Sequence, residues 1–89
     1  MKIITKTGKS FPATWAGISS LDKSLRFNIQ DCTILEAAKV FSDEKETEEI
    51  TYQIGEEESG KTVFDGFTKL TGINIYGADT NVTLQKGSD

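Results

Sequence analysis

Apolar and polar positions alternate along most of this chain, and in one stretch the period changes to that of a helix. Lys2 to Lys6 is short and β-branched and is bounded by Thr7-Gly8, which predicts a strand and a turn. From about Lys9 to Gly17 a second strand is expected, in which Phe11, Ala13 and Trp15 fall on alternate positions of one face. Pro12 has no N–H to donate, so this strand should begin there or lie at a sheet edge. Ile18 to Ser24 is rich in Ser and Asp and reads as a connection. Leu25, Phe27 and Ile29 then alternate with Arg26, Asn28 and Gln30, the pattern of a half-buried strand.

The helical stretch follows. Thr33-Ile34-Leu35-Glu36 is a capping box, in which the Thr hydroxyl accepts from the Glu36 amide and the Glu36 side chain reaches back to the cap. Ile34, Ala37, Ala38 and Phe41 stand at i, i+3, i+4 and i+7, one stripe of a helix, and Leu35 and Val40 widen it. Ser42-Asp43 ends the pattern, giving one short helix over residues 33–42. A helix of that length is marginal alone in water, so it must lie on a sheet. The acidic run Asp43–Glu49 reads as a loop leaving it.

Beyond the loop, Ile50, Tyr52 and Ile54 alternate again; Gly55 to Gly60 is a turn; Thr62 to Leu70 resumes as a strand, with Gly66 marking a bulge. Ile73 and Ile75, then Val82 and Leu84, form two further strands around a turn at residues 77–81. The order β-β-β-α-β-β-β-β defines an α+β domain: a largely antiparallel sheet of six or seven strands with one helix packed on it. The last four strands are most simply a meander. Seven short strands would also suffice for a partly closed barrel, which would remove exposed edges.

Length and composition narrow the chemistry. Eighty-nine residues make one small domain with a thin core. The chain has no His, which removes the commonest general base and the commonest metal ligand together. Its one cysteine, Cys32, excludes an internal disulfide and a zinc cage and reads as an inert, half-buried thiol. No cofactor or metal is expected. No stretch is long and apolar enough to span a membrane, and Met1 to Lys6 lacks the apolar run of a secretory signal.

Charge is unevenly placed. Residues 1–30 hold Lys2, Lys6, Lys9, Lys23 and Arg26 against Asp22, a net of +4. Residues 31–60 hold ten carboxylates against Lys39 and Lys45, a net of −8, and the whole chain stands at −4. This distribution disfavours a nucleic-acid binder, which needs cations clustered on one face.

One motif tests that conclusion. Gly55-Glu56-Glu57-Glu58-Ser59-Gly60-Lys61-Thr62 fits G-x-x-x-x-G-K-[ST], the pattern of a phosphate-wrapping P-loop. A P-loop needs a helix to start at its Lys-Thr end, whereas Thr62-Val63-Phe64-Asp65 is β-branched and aromatic and predicts a strand. Three glutamates in the loop would also repel phosphate. The motif is therefore read as a hairpin tip. Asn81-Val82-Thr83 matches the glycosylation acceptor pattern but, without a signal sequence, carries no expectation.

Three stretches carry a resemblance. They are Leu25-x-Phe27 with the capped helix ending Phe41-Ser42-Asp43, the run Phe64-x-Gly66-Phe67-Thr68-x-Leu70-x-x-Ile73, and Val82-Thr83-Leu84-x-Lys86. Through them the chain from about Leu25 to Lys86 resembles a loose group of small, mostly uncharacterised proteins encoded in the tail and structural regions of phages and prophages of Gram-positive bacteria. The resemblance implies a non-enzymatic, tail-associated role, with the protein made in the bacterial host cytoplasm and carried into the virion. The partner would then be a virion component or a second copy, met through an open edge such as the Pro12 strand or the C-terminal strand. A second reading takes the acidic middle as a mimic of nucleic-acid phosphates that inhibits a host defence nuclease. It requires Glu46, Glu48, Glu49, Glu56, Glu57 and Glu58 to form one face. Trp15, placed on the core face by its alternation, is the one aromatic that could instead contact a partner.

Overall fold

The computed structural model describes residues 1–55 and 60–87. Among them are seven strands: β1 (Lys2–Ile4), β2 (Ser10–Ile18), β3 (Leu25–Ile29), β4 (Glu49–Gln53), β5 (Lys61–Asp65), β6 (Lys69–Tyr76) and β7 (Asp79–Gln85). Two helices, α1 (Ile34–Phe41) and α2 (Glu44–Thr47), lie between β3 and β4. The strands form one antiparallel sheet in the order β5-β4-β1-β2-β3-β7-β6. The α+β class and the largely antiparallel sheet are as the alternation predicts. The run Asp43–Glu49 is not simply a loop, because Asp43 caps a second helix: its Oδ1 accepts from the Lys45 amide at 3.0 Å.

β2 is the strand on which the two halves of the sheet meet. Its first residues pair with β1, Phe11 opposite Ile3, and the remainder pairs with β3, Ala16 opposite Phe27. Pro12 therefore lies in the middle of the sheet and not at an edge. The Pro12 carbonyl accepts from the Gln30 amide at 2.8 Å, just past the last β2–β3 pair, Ala13 with Ile29. The donor that proline lacks falls where that ladder has ended, so its absence breaks no regular pair.

Directly after this handover, the register shifts between Ala13 and Trp15, leaving Thr14 as the extra residue of a β-bulge. A bulge reverses the phase of side-chain alternation. Phe11 and Ala13 point to the core, and so does Ala16, but Trp15 and Gly17 point away from it. The expectation that Trp15 shares the core face of Phe11 and Ala13 is thus corrected: Trp15 is 48% exposed.

The sheet does not close into a barrel, since among the described residues β5 and β6 share no ladder. It does curl. Three residues, Gly66, Phe67 and Thr68, join the two edge strands, so Asp65 and Lys69 are at most about 14 Å apart. The last four strands are consequently two separate hairpins and not a meander, with β4 returning beside β1 and β7 beside β3. Gly66 does not bulge a continuous strand. It ends β5, because its φ of 80° cannot continue a ladder, and its amide donates to the Glu48 carbonyl while its carbonyl accepts from the Gly87 amide.

The inner faces of both halves meet in one core. Ile3 and Ile50 from one half and Leu25, Phe27, Ile29, Val82 and Leu84 from the other are fully buried. α1 supplies Ala37 and Phe41, and the Phe41 ring lies 5.4 Å from Phe11 and 5.1 Å, edge-on, from Phe27. Thr33 caps the helix as predicted, its Oγ1 accepting from the Glu36 amide at 3.1 Å. The buried stripe is narrower than the pattern predicts, because one helix face against a curled sheet seats only Ala37 and Phe41 deeply. Ile34 is 40% and Leu35 80% exposed.

Phe41→Ala should therefore cost about 3–5 kcal/mol in urea unfolding, since it leaves a cavity among Phe11, Phe27 and the sheet. Leu35→Ala should fall within about 0.5 kcal/mol of the parent, as expected for an exposed side chain. Equal losses from the two would show that the helix seats a different face.

Candidate functional site

The acidic segment is divided by α2, which is only four residues long but turns Glu46 and Thr47 inward. The Glu46 carboxylate accepts from Thr5 Oγ1 at 3.0 Å and from Thr7 Oγ1, and it pairs with Lys9 Nζ at 2.6 Å. The Lys6 amide donates to the Glu46 carbonyl at 3.0 Å. Three residues of the β1–β2 turn thus close on one carboxylate whose side chain is 5% exposed, and a fourth holds its backbone. The ammonium of Lys9 foremost, with the two hydroxyls, holds that carboxyl at about 2. The same contact raises Lys9.

The six glutamates expected to form one interaction face are therefore not equivalent. Glu46 is buried and faces the protein's own β1–β2 turn, so it cannot meet a partner. Glu48 is exposed and pairs with Lys6 at 2.9 Å. Glu49 opens β4, exposed, opposite Asp65 of β5. Glu56, Glu57 and Glu58 lie outside the described residues. Along Lys61-Thr62 the chain is extended, as the strand β5 paired antiparallel to β4, so the P-loop pattern lacks the helix on which its chemistry depends.

The second half of the sheet has an outward face of different character. Trp15 and Gly17 of β2, Arg26 and Asn28 of β3, Asn81 and Thr83 of β7, and Asn74 and Tyr76 of β6 share it by register. A side chain at Gly17 would meet the Trp15 six-membered ring at 3.2–3.9 Å, so the indole lies across the glycine and keeps its other side to solvent. Asn81 Nδ2 donates to Asn28 Oδ1 at 2.6 Å. Thr14 Oγ1 donates to Asp79 Oδ2 at 2.9 Å. Trp15, Arg26, Asn28, Tyr76 and Asn81 line a shallow groove of about 300 Å³. The Tyr76-Gly77-Ala78-Asp79 hairpin that carries Tyr76 turns on Gly77, whose φ of 64° suits the first central position of a II′ turn.

Arg26 is held from below. Its Nε donates to Ser24 Oγ at 3.1 Å and its Nη2 to Asp22 Oδ2 at 3.1 Å. The Ser24 hydroxyl and amide, with the Arg26 guanidinium after them, hold Asp22 at about 2. Sequence reasoning singled out Trp15 but not Asn28, Asn81 or Tyr76. The available signal was their placement at polar positions of alternating strands, where an aromatic or an amide has no solubility reason to be preferred over a charge. Cys32 is half-buried, with Sγ directed at the Thr33 carbonyl at 3.5 Å. Burial foremost, and then Glu36, raise its pKa, so the thiol stays protonated despite preceding a helix.

The two edges also differ. α1 packs against β6 and β7, and α2 against β4. β5 carries Lys61, Thr62, Val63 and Asp65 exposed, Val63 by 50%. The Gly66 amide donates to Glu48 and the Ile54 amide to Gly60, which fixes the parity of the β4–β5 ladder. Thr62 and Phe64 turn their backbone groups toward β4, whereas Val63 and Asp65 turn theirs outward. No protein-family model matches the chain, and no curated protein or solved structure is detectably similar to it.

The clamp makes a pH prediction. Glu46 ionises more readily folded than unfolded, so its contribution is whole above its ordinary value of 4.5 and is lost as pH falls toward about 2. Asp22 loses its contribution similarly, between 3.8 and about 2. Melting temperature should therefore drop across that acid window. Glu46→Gln should lower the melting temperature at pH 7 and leave a smaller acid drop, due to Asp22. An unchanged acid drop in the variant would remove Glu46 as its source.

Proposed function

We propose that this protein is non-enzymatic and works by protein–protein contact through the β5 edge, pairing first with a second copy of itself. The single observation behind the reading is the self-complementarity of that edge. An antiparallel two-fold pairing centred on Val63 sets Val63 against its own copy and Lys61 against Asp65, twice. The outward backbone groups of Val63 are those that such a pair needs. Thr62 would face Phe64 on the opposite side, with no like charges opposed. A five-residue strand pair buries less than a standard interface of roughly 1,600 Å². The dimer is accordingly expected to depend on concentration.

The setting we propose, a small tail-associated accessory of a phage or prophage of Gram-positive bacteria, rests on the sequence resemblance. Repeated copies in a tail would supply the high local concentration that a weak edge contact requires. The nuclease-inhibitor reading has less support, because Glu46 is committed to the β1–β2 turn and Glu48 to Lys6.

Sedimentation or light scattering over a concentration series tests the contact. The parent should pass from monomer to dimer. Val63→Pro should remain monomeric, because it removes an N–H that faces away from β4 and leaves the β4–β5 ladder intact. Asp65→Lys should also weaken the dimer by setting lysine against lysine, while facing Glu49 favourably within its own sheet. The double exchange Lys61→Asp with Asp65→Lys should restore it. A parent that stays monomeric at every concentration, or a dimer indifferent to all three variants, overturns the reading.

A further inference from the structure

We propose that the outward groove on β2, β3, β7 and β6 binds a neutral gluco-configured pyranose of an oligosaccharide, seated on Trp15 and Tyr76. This inference is independent of the edge contact, since none of its residues lies on β5.

The groove has the two kinds of surface that a pyranose presents. A sugar ring whose hydroxyls are all equatorial exposes only C–H groups on its two faces and gathers its polar groups around the rim. Trp15 offers a matching flat surface. Its indole is pinned across Gly17, which has no Cβ to lift it, and its outer side is open to solvent. An aromatic fixed by the backbone beneath it loses little freedom on binding. Tyr76, 69% exposed at the end of the adjoining hairpin, provides a second ring wall.

The rim chemistry is planar and largely neutral. Asn28 and Asn81 are joined by one hydrogen bond, which orients both amides and leaves the Asn28 NH₂ as donor and the Asn81 Oδ1 as acceptor. Neighbouring hydroxyls on a sugar ring alternate donor and acceptor roles as such a pair requires. The Asp79 carboxylate, steadied by Thr14 through one oxygen, adds an acceptor beside Tyr76. At about 300 Å³ the groove is at the lower end of the range for small-molecule sites.

Charge separates this ligand from nucleobases, the other class of ring that stacks on aromatics. Nucleobases come with phosphates, and a strand of nucleic acid is held chiefly by cations that neutralise them. Among the described residues Arg26 is the one cation lining the groove, and it is already paired with Asp22 at 3.1 Å, while Asp79, opposite Tyr76 in the β6–β7 ladder, adds a negative charge nearby. The chain as a whole stands at −4. A neutral polyol meets no such penalty.

Trp15 is the only tryptophan of the chain, so its emission reports on the groove directly. Cellotetraose and chitotetraose, titrated into the full chain, should shift that emission, and amide NMR shifts should map to β2, β3, β7 and the Gly77 turn. Tyr76→Ala, at an exposed position, should weaken binding about tenfold. Trp15→Ala, followed by NMR, should abolish it, and Trp15→Phe should recover part of it. The proposal is overturned if neither sugar perturbs Trp15, or if sugar binding survives in Trp15→Ala. It is equally overturned if a thymidine oligonucleotide or a proline-rich peptide occupies the groove and the sugars do not.

Discussion

The structure depends on the way β2 changes partners. A strand in the middle of a regular sheet is paired on both sides along its length, but here β1 takes Ser10 to Pro12 and β3 takes Ala13 onward. The two four-stranded halves thus share one strand without being stacked side by side, and strands that pass between sheets do so at bends or bulges. Pro12 and the Thr14 bulge supply that bend. With it, Phe11 and Ala13 serve the same core as Ala16 even though the count between them is wrong for continuous alternation. Without the extra residue, either Phe11 would leave Phe41 or Ala16 would turn away from the core. The core of this small domain has few large side chains to lose.

How much of this was legible follows from how local each determinant is. The capped helix was readable because Thr33, Glu36, Ala37 and Phe41 lie within nine positions and their signals are chemical as well as periodic. β3 was readable because both of its faces obey one rule over five residues. The pairing of β1 with β4 and of β3 with β7 was not, since nothing within either strand names a partner some fifty residues away. The default of pairing sequential strands instead gave a meander. The pattern puts Trp15 on the wrong face for a related reason: alternation extrapolates across a bulge as though it were absent, and Thr14 carries no residue-type signal that announces one. Pro12 misled similarly. The rule that confines proline to edges concerns its missing donor, and that donor is equally harmless where a ladder stops.

Charge counting had a different weakness. Ten carboxylates within thirty residues describe an acidic segment but give no direction to any of them. The four-residue helix α2 decides that Glu46 points into the β1–β2 turn, and its cue, Asp43 as a cap, was hidden inside the same run of acids. Once buried among Thr5, Thr7 and Lys9, Glu46 fastens the β1–β2 turn to the segment after α1, and β1 is by that route held against both of its neighbours. An acid that looked available for recognition is part of the framework. Most side chains lining the outward groove of the other half of the sheet, Trp15, Asn28, Tyr76 and Asn81, are neutral.

That separation has a consequence for how the molecule can use its surfaces. The sheet runs from β5 at one edge to β6 at the other, and the groove residues lie on β2, β3, β7 and the far end of β6. Tyr76 closes a strand whose other end, Lys69, approaches Asp65. Pairing two copies through β5 therefore buries no groove residue, and the two grooves of such a pair would both remain open. A groove of this size holds a single ligand unit weakly, whereas two grooves on one particle bind a repeating ligand at the high effective concentration set by their spacing. In the proposed reading, the edge would set valency and the face would set chemistry. Because they share no residue, that reading requires a substitution at Val63 to alter the first and to leave the single-site affinity at Trp15 unchanged.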